Sequence, residues 1–309
     1  MKASNARDVA SRIDIRAQVL ANRPVRGRYW RIVLGLPRQG MDAFARLTPG
    51  QFILLDISSV GLPEQIPPEL AEKANRHILL RRPFSPMAVR STATGVELEL
   101  MYKVVGPATV RMTSLRPGQS IQVLGPLGKG FSVLSTMKKA ILVAGGIGLP
   151  PIYHLAQIIR SDHGHIMVEV FLGIRSASEL PLDLDDCGQV DWALDIPVHL
   201  TSNDGGIGIK GLITDCLQDW LRTRPPQDLD GMIIFGCGPE PMLRQLARIA
   251  SNNGIACQIS LERYMACGTG LCQGCVVRCR QAGGPVYRLC CQDGPVFDAA
   301  EVLFDDHRA

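Results

Sequence analysis

The chain has 309 residues and a formal net charge of +4, from 33 Lys and Arg against 29 Asp and Glu. That length is about two domains at roughly 150 residues each, and the charge is too mild and dispersed for nucleic acid to be the main partner. A hydrophobic content of 46% excludes a disordered or fibrous chain, and an aromatic content of 5% argues against interleaved stacking platforms for single strands.

The first residues, MKASNARDVASRIDIR, hold no continuous apolar core, so no secretory signal is expected. From 13 to about 135 the chain reads as β-rich. Short apolar or alternating runs recur at 17–21, 28–34, 51–57, 96–105 and 120–123, with turn signals such as Pro49-Gly50 and Pro117-Gly118 between them. Strands at this spacing predict a small closed barrel. Residues 58–76, with Pro63, Pro67 and Pro68 ahead of a Glu/Ala/Lys stretch, read as an exposed insertion with one short helix.

From Lys138 the pattern changes. A buried strand over 140–144 leads through a Gly-rich turn into a helix that ends near Arg160, and further strands are predicted at 166–172, 198–202 and 232–235. Helical stretches fall at 212–222 and 241–252, and this alternation predicts a parallel α/β sheet. After Gly254 comes a compact tail rich in Cys and Gly. The predicted domains are thus 13–136, 137–256 and 257–309. The longest apolar run, 140–153, is broken by Gly145, Gly146, Gly148, Pro150 and Pro151 and is too short for a membrane span, which needs about 18 residues. A cytoplasmic location is expected, with thiols kept reduced.

The ten cysteines therefore need an explanation other than disulfides, and six of them lie between Cys267 and Cys291. Cys267, Cys272 and Cys275 form C-x4-C-x2-C, with Cys290 and Cys291 downstream, the plant-type [2Fe–2S] spacing. Three thiolates from one tight loop must converge on a small inorganic core. Gly268, Gly270 and Gly274 let the backbone wrap it, and freed N–H groups can reach the sulfurs. A zinc site or buried free thiols are the other readings, but zinc favours paired C-x2-C knuckles and only one such pair is present. The spacing leaves the choice between Cys290 and Cys291 open. Cys279, four residues after Cys275, reads as a spare thiol or as a further candidate ligand, and Cys187, Cys216 and Cys257 as small apolar residues.

Two glycine turns follow predicted strands: Gly145-Gly146-Ile147-Gly148 with Pro150 and Pro151 behind it, and Gly236-Cys237-Gly238-Pro239-Glu240-Pro241-Met242. Both lie at the C-terminal edge of a parallel sheet, where ligands bind in such folds, and glycine allows close approach of a phosphate. In the barrel, Arg81-Arg82-Pro83-Phe84-Ser85 combines a phosphate-pairing cation, a ring and a hydroxyl, although on its own it reads first as a basic strand edge.

Taken in order, these elements resemble the ferredoxin reductase superfamily of flavoproteins. Within it the chain is most similar to the electron-transfer subunits of NAD-dependent (type B) dihydroorotate dehydrogenase. Arg82-Pro83-Phe84-Ser85, Gly125-Pro126-Leu127-Gly128, the two glycine turns, the run from Met265 to Cys275 and Cys291-Gln292-Asp293-Gly294-Pro295-Val296-Phe297 carry the resemblance, from about residue 15 to 305. It implies a Greek-key barrel for FAD, a parallel-sheet domain for NAD and a C-terminal [2Fe–2S] subdomain. Arg82 is placed near the FAD pyrophosphate and Ser85 near the reactive edge of its ring, with Pro83, Phe84, Met101, Tyr102, Lys103, Ala108 and Thr109 as further FAD contacts. Gly145, Gly146, Gly148, Cys237, Gly238 and Pro239 are placed at the nicotinamide nucleotide, with Cys237 near the hydride-transfer point. The resemblance selects Cys291 as fourth cluster ligand beside Cys267, Cys272 and Cys275. It implies a partner, an FMN-bearing catalytic subunit, two copies of each in the complex, and electron flow from dihydroorotate to NAD⁺ in pyrimidine biosynthesis. A reductase subunit serving another partner, such as a sulfite reductase or a sulfide/ferredoxin oxidoreductase, and a zinc-stabilised binding module are the alternatives.

The chain departs from the resemblance in three places. Phe84 stands where the superfamily often has Tyr, and the segments before Ile13 and over 58–76 are long. His154 reads as a packed or surface histidine, and Asp204-Gly205-Gly206 as a loop turn. Arg175 and Ser176 follow a strand end where a ribose 2′ group sits in such folds and are able to bind a 2′-phosphate, so the residues alone leave NAD and NADP open.

Overall fold

Ile15, Ala17 and Val19 alternate with exposed neighbours along the first strand, so that strand buries one face only. The same logic governs the N-terminal sheet of the computed structural model, which describes residues 12–183 and 194–304. Cys187 and the segment before residue 12 lie outside the described residues. The sheet holds β1 (Ile13–Pro24), β2 (Tyr29–Pro37), β3 (Phe52–Asp56), β4 (Arg82–Phe84), β5 (Pro86–Ser91), β6 (Gly95–Lys103) and β7 (Ser120–Leu127). Every pairing is antiparallel, in the order β4-β3-β7-β1-β2-β6-β5. Three short helices accompany it: α1 (Met41–Phe44), α2 (Ala71–Ala74) and α3 (Pro107–Met112). The one short helix expected within 58–76 is α2.

The sheet curls but is not closed by a ladder. Its two edge strands, β4 and β5, pair with β3 and β6 and not with each other, and the chain steps between them through Ser85 alone. The seam of the barrel is therefore the Arg82–Ser85 segment. Pro83 lacks an N–H and suits only an edge. Residues such as Ile32, Leu34, Leu55, Leu98 and Tyr102 fill the interior.

The second sheet runs β11-β10-β9-β8-β12-β13-β16. Its strands are β8 (Lys139–Gly145), β9 (Met167–Ile174), β10 (Val198–Ser202), β11 (Ile209–Lys210), β12 (Met232–Cys237), β13 (Ala256–Ser260) and the antiparallel β16 (Val296–Asp298). Helices α4 (Leu149–Asp162), α5 (Ile213–Arg222) and α6 (Glu240–Asn252) cover it, and β8, β9 and β12 are apolar almost throughout, as strands buried on both faces must be. The sheet runs past residue 256. Between β13 and β16 the chain leaves it to form the cysteine loop, a hairpin of β14 (Val276–Gln281) and β15 (Gly284–Leu289), and α7 (Cys290–Asp293).

The barrel shares cores with both neighbours. Tyr29, Met87 and Met101 face outward from the barrel and pack with Leu149, Ile152 and Leu155 of α4. Phe52, Leu54 and Leu127 pack with Cys275, Cys291 and Phe297. This continuity fixes the three modules against one another, because side chains on both sides lose water together.

His154 is a packed residue, 3% exposed on α4, with Nδ1 buried and without a hydrogen-bond partner among the described residues. Burial pulls its pKa from the ordinary 6.5 down to about 4. Between those values the unfolded chain binds a proton that the folded chain refuses. Its contribution to stability is therefore complete above pH 6.5 and is lost as the pH falls toward 4, by about 2 kcal/mol at pH 5. Urea unfolding should show the His154→Leu variant losing about 2 kcal/mol less than the native chain between pH 8 and pH 5. Equal losses would place the imidazole in contact with water.

Candidate functional site

The Arg82–Ser85 seam separates its two arginines by role. Arg81 is tied to β1, its Nη2 lying 2.8 Å from Asp14 Oδ2, while Arg82 Nη1 donates to the Leu80 carbonyl at 2.6 Å. Beside the seam, β6 outruns its partner. β5 pairs with β6 only as far as Pro86 opposite Leu100, so Met101–Lys103 present one backbone edge that no strand covers. On its other edge the same segment pairs with Tyr29, Trp30 and Arg31 of β2. Unpaired N–H and C=O groups in a mostly buried strand seek a partner, and the hydrogen-bonding edge of a flavin ring has the matching groups.

The side chains of Met101, Tyr102 and Lys103 point elsewhere. Met101 enters the core shared with α4, and the Tyr102 hydroxyl donates to Asn22 Oδ1 at 3.0 Å inside the barrel. Lys103 Nζ lies 2.9 Å from Glu179 Oε1 of the second domain and 5.1 Å from the centroid of the Tyr29 ring. What this segment can offer a flavin is backbone. At the start of α3 the Thr109 hydroxyl accepts the N–H groups of Val105 (2.9 Å) and Gly106 (3.2 Å) and donates to the Gly106 carbonyl. That leaves the N–H groups of Ala108 and Thr109, which have no partner inside a helix, open to an anion.

The two glycine turns, 90 residues apart in sequence, form one floor. β8 and β12 are neighbours, with Cys237 opposite Ala144. A Cβ at Gly148 would overlap the Cys237 carbonyl and lie 2.7 Å from the Gly238 nitrogen, and one at Gly145 would lie 2.7 Å from Pro239 Cδ. Gly146 faces the barrel, its Cβ direction ending 3.4 Å from the Tyr29 hydroxyl. The start of α4 is less rich in donors than its dipole suggests: Pro150 and Pro151 have no N–H, and the Leu149 N–H is bonded to the Gly146 carbonyl. The donors left at this turn are the backbone amides of the glycine stretch itself. Cys237 is half-buried at the end of β12, and burial pushes its thiol up to about 12, assisted by the Glu262 charge. It is therefore an S–H group at neutral pH and suits contact with a bound ring, not nucleophilic attack.

The cysteine loop rests on the barrel. Gly268 has φ +68°, a backbone shape that an L side chain adopts reluctantly, and a Cβ there would lie 2.6 Å from Leu54 Cδ1. Leu54 pairs across the strand with Pro83 of the seam, and Arg12 Nη1 reaches the Thr269 carbonyl at 3.4 Å. The loop aims amides at sulfur. Thr269 and Cys272 donate to Cys267 Sγ at 3.4 Å each, Gly274 to Cys272 Sγ at 3.5 Å and Cys291 to Cys275 Sγ at 3.4 Å. Burial alone would raise the Cys267 thiol, but these N–H groups hold it down to about 6. Burial and the adjoining Cys275 thiol push Cys291 up, against a hydrogen bond from the Gly270 amide.

Cys290 is turned the other way, its S–H donating to the Leu261 carbonyl at 3.4 Å. Cys257 and Cys279 are buried and Cys216 is half-buried. Among the described residues no three His, Cys, Asp or Glu side chains gather around a single point as a one-ion site requires. A two-iron core asks less of them, since it divides its four thiolates between two irons.

Sequence reasoning passed over two features of this region. One is the uncovered β6 edge, which depends on where β5 stops. The other is Glu179, whose only signal is an acidic residue shortly after the second strand of an α/β unit. Asp204-Gly205-Gly206 is the expected turn, with the Gly206 N–H donating to Asp204 Oδ1 at 2.9 Å.

Comparisons with known proteins agree with this arrangement. Residues 262–303 match the model of the iron–sulfur cluster binding domain of dihydroorotate dehydrogenase B. The dihydroorotate dehydrogenase B (NAD(+)) electron transfer subunit of Caldanaerobacter subterraneus subsp. tengcongensis is 32% identical over 256 residues, covering 83% of this chain and 87% of that protein. The corresponding subunit of Listeria innocua is 35% identical over 264 residues, covering 84% and 89%. Among solved structures, an NADH-dependent reduced ferredoxin–NADP oxidoreductase chain superposes with a TM-score of 0.71 at 23% identity, covering 93% of this chain and 89% of that one. Phthalate dioxygenase reductase does so with 0.53 at 15%, covering 89% and 76%. The structural likenesses carry the ferredoxin reductase-like fold, and the identity along most of its length places the chain in the family of dihydroorotate dehydrogenase B (NAD(+)) electron transfer subunits.

Proposed function

We propose that the chain is the electron-transfer subunit of a cytoplasmic, NAD⁺-dependent dihydroorotate dehydrogenase and passes electrons from an FMN-bearing catalytic subunit to NAD⁺. The carrying observation is a meeting of three sites on one barrel. The cysteine loop sits on Leu54 beside the Arg82–Ser85 seam, and the glycine floor sits against Tyr29, next to the open edge of β6. FAD bound at that seam supplies the junction between two-electron hydride chemistry and one-electron cluster chemistry.

The chain's own residues do the positioning. Arg82 and the amides of Ala108 and Thr109 hold the FAD pyrophosphate, and Ser85 and the β6 edge orient the ring, with Phe84 beside it. Gly145, Gly146, Gly148, Gly238 and Pro239 form the floor on which the nucleotide lies, and the Cys237 S–H faces its reacting end. Cys267, Cys272, Cys275 and Cys291 ligate a [2Fe–2S] cluster. The loop turns its tip outward, with Leu271 87% and Tyr264 100% exposed and Cys272 also exposed, so this face is the one that meets the partner. Among the described residues no helix is long and apolar enough to cross a membrane.

Anaerobic affinity purification from the native cells should recover a flavin-bearing catalytic subunit in matching amount, as an assembly with two of each. The assembled pair should reduce NAD⁺ in the presence of dihydroorotate. A correctly assembled pair that carries FAD and iron yet shows no dihydroorotate-dependent reduction would sink the reading.

A further inference from the structure

A dinucleotide lying on the glycine floor places its adenosine ribose at the end of the strand after β8, where a carboxylate marks NAD and a cation admits the 2′-phosphate of NADP. That strand is β9, and the chain leaves it through Arg175, Ser176, Ser178 and Glu179. Glu179 lies among cations from both domains. Its Oε1 is 2.9 Å from Lys103 Nζ and its Oε2 is 3.1 Å from Arg175 Nε, and the charge of Arg28 also acts on it. Burial alone would raise the Glu179 carboxyl, but the three cations keep it below the usual carboxylate range and hence ionised at neutral pH.

The neighbourhood is otherwise suited to phosphate. The Ser176 and Ser178 hydroxyls are 2.9 Å apart, Lys103 is 9% exposed and Arg175 is 74% exposed. On the next strand end, the Asp204 N–H donates to the Arg175 carbonyl at 3.4 Å, while its carboxylate is turned to the Gly206 N–H at 2.9 Å. One strand farther out, Lys210 packs along Gly205.

From this geometry we propose that Glu179 is the specificity-determining residue for the nucleotide: by occupying Lys103 and Arg175 it masks a latent 2′-phosphate site, and so makes the chain select NAD over NADP. A 2′-phosphate brings about −1.5 to −2 charges at neutral pH and must find unengaged cations. An unphosphorylated ribose brings hydroxyls that donate to a carboxylate instead. The inference rests on the nicotinamide-nucleotide reading of the glycine floor and assigns its selectivity to one side chain.

The test is calorimetric titration of the intact, cofactor-loaded chain with 5′-AMP and with 2′,5′-ADP, which differ only in the 2′-phosphate, for the native protein, Glu179→Gln and Glu179→Gln/Arg175→Ala. The native chain should favour 5′-AMP by about tenfold or more. Glu179→Gln should shift the ratio of the two affinities by about tenfold or more toward 2′,5′-ADP, and adding Arg175→Ala should remove that gain. An unchanged ratio in Glu179→Gln, or equal weakening of both ligands, would make Glu179 a tie between domains only and overturn the proposal. So would a native chain that prefers 2′,5′-ADP, an outcome independent of how the variants fold. A native chain that binds neither ligand would overturn the nucleotide-site reading itself, and this proposal with it.

Discussion

Cys291→Ser should purify with background iron and sulfide, whereas Cys290→Ser should keep the full complement, although the two residues are adjacent. Successive positions on a helical turn point about 100° apart, and α7 uses that difference. The Cys290 thiol is buried against the Leu261 carbonyl and is occupied as a donor. Cys291 offers its N–H to Cys275 Sγ and takes the Gly270 amide on its own sulfur, so its side chain belongs to the group formed by Cys275 and the loop. Cys272→Ser, which removes the most exposed thiol of the loop, should also lose iron while retaining FAD, because Arg82, Ser85 and the β6 edge do not touch it. Iron, acid-labile sulfide and flavin per chain, measured on anaerobic preparations with visible spectra, decide the matter. Iron retained in Cys291→Ser, or lost in Cys290→Ser, would reverse the ligand assignment.

Much of this was readable from sequence wherever one chemical demand fixes several residues at once. Three cysteines at C-x4-C-x2-C among glycines leave few structures open, and β8, β9 and β12 announce themselves as apolar runs followed by turns. What escaped depends on partners distant in sequence. β4 is three residues long and contains Pro83, so no periodicity marks it, and it exists only because β3 supplies an edge. β13 and β16 fall in the stretch that reads as a tail, yet β16 is held in the second sheet by pairing with β13. The expected closed barrel is open at its seam because β4 and β5 took different partners. Met101-Tyr102-Lys103 matched a flavin-contacting segment as letters, but strand alternation sends the three side chains to an interdomain core, the barrel interior and an ion pair. Only their backbone is free for that role, and this depends on β5 ending at Pro86.

The glycine floor gives the sharpest test of the proposed nucleotide site. Gly148→Ala should destabilise the chain by about 3 kcal/mol and weaken NADH binding by tenfold or more, since an overpacked core costs about 1–3 kcal/mol and here the obstacle cannot move. The new methyl group would meet the Cys237 carbonyl and the Gly238 amide, which are main-chain atoms of the neighbouring turn, not the end of a flexible side chain. Relief requires the β8 and β12 turns to part, and each carries half of the floor. Gly61→Ala is the matched control, because a Cβ there meets nothing within 4 Å and the backbone is ordinary, so its change should stay within about 0.5 kcal/mol. Denaturant unfolding and NADH titration of both variants measure the two effects separately. If Gly148→Ala lost stability but bound NADH normally, the close packing of the turns would be structural only and the nucleotide would lie elsewhere on the sheet edge. Loss of both together is what a floor shared between two turns requires, because the contact that keeps the turns together is also the surface on which the ligand rests.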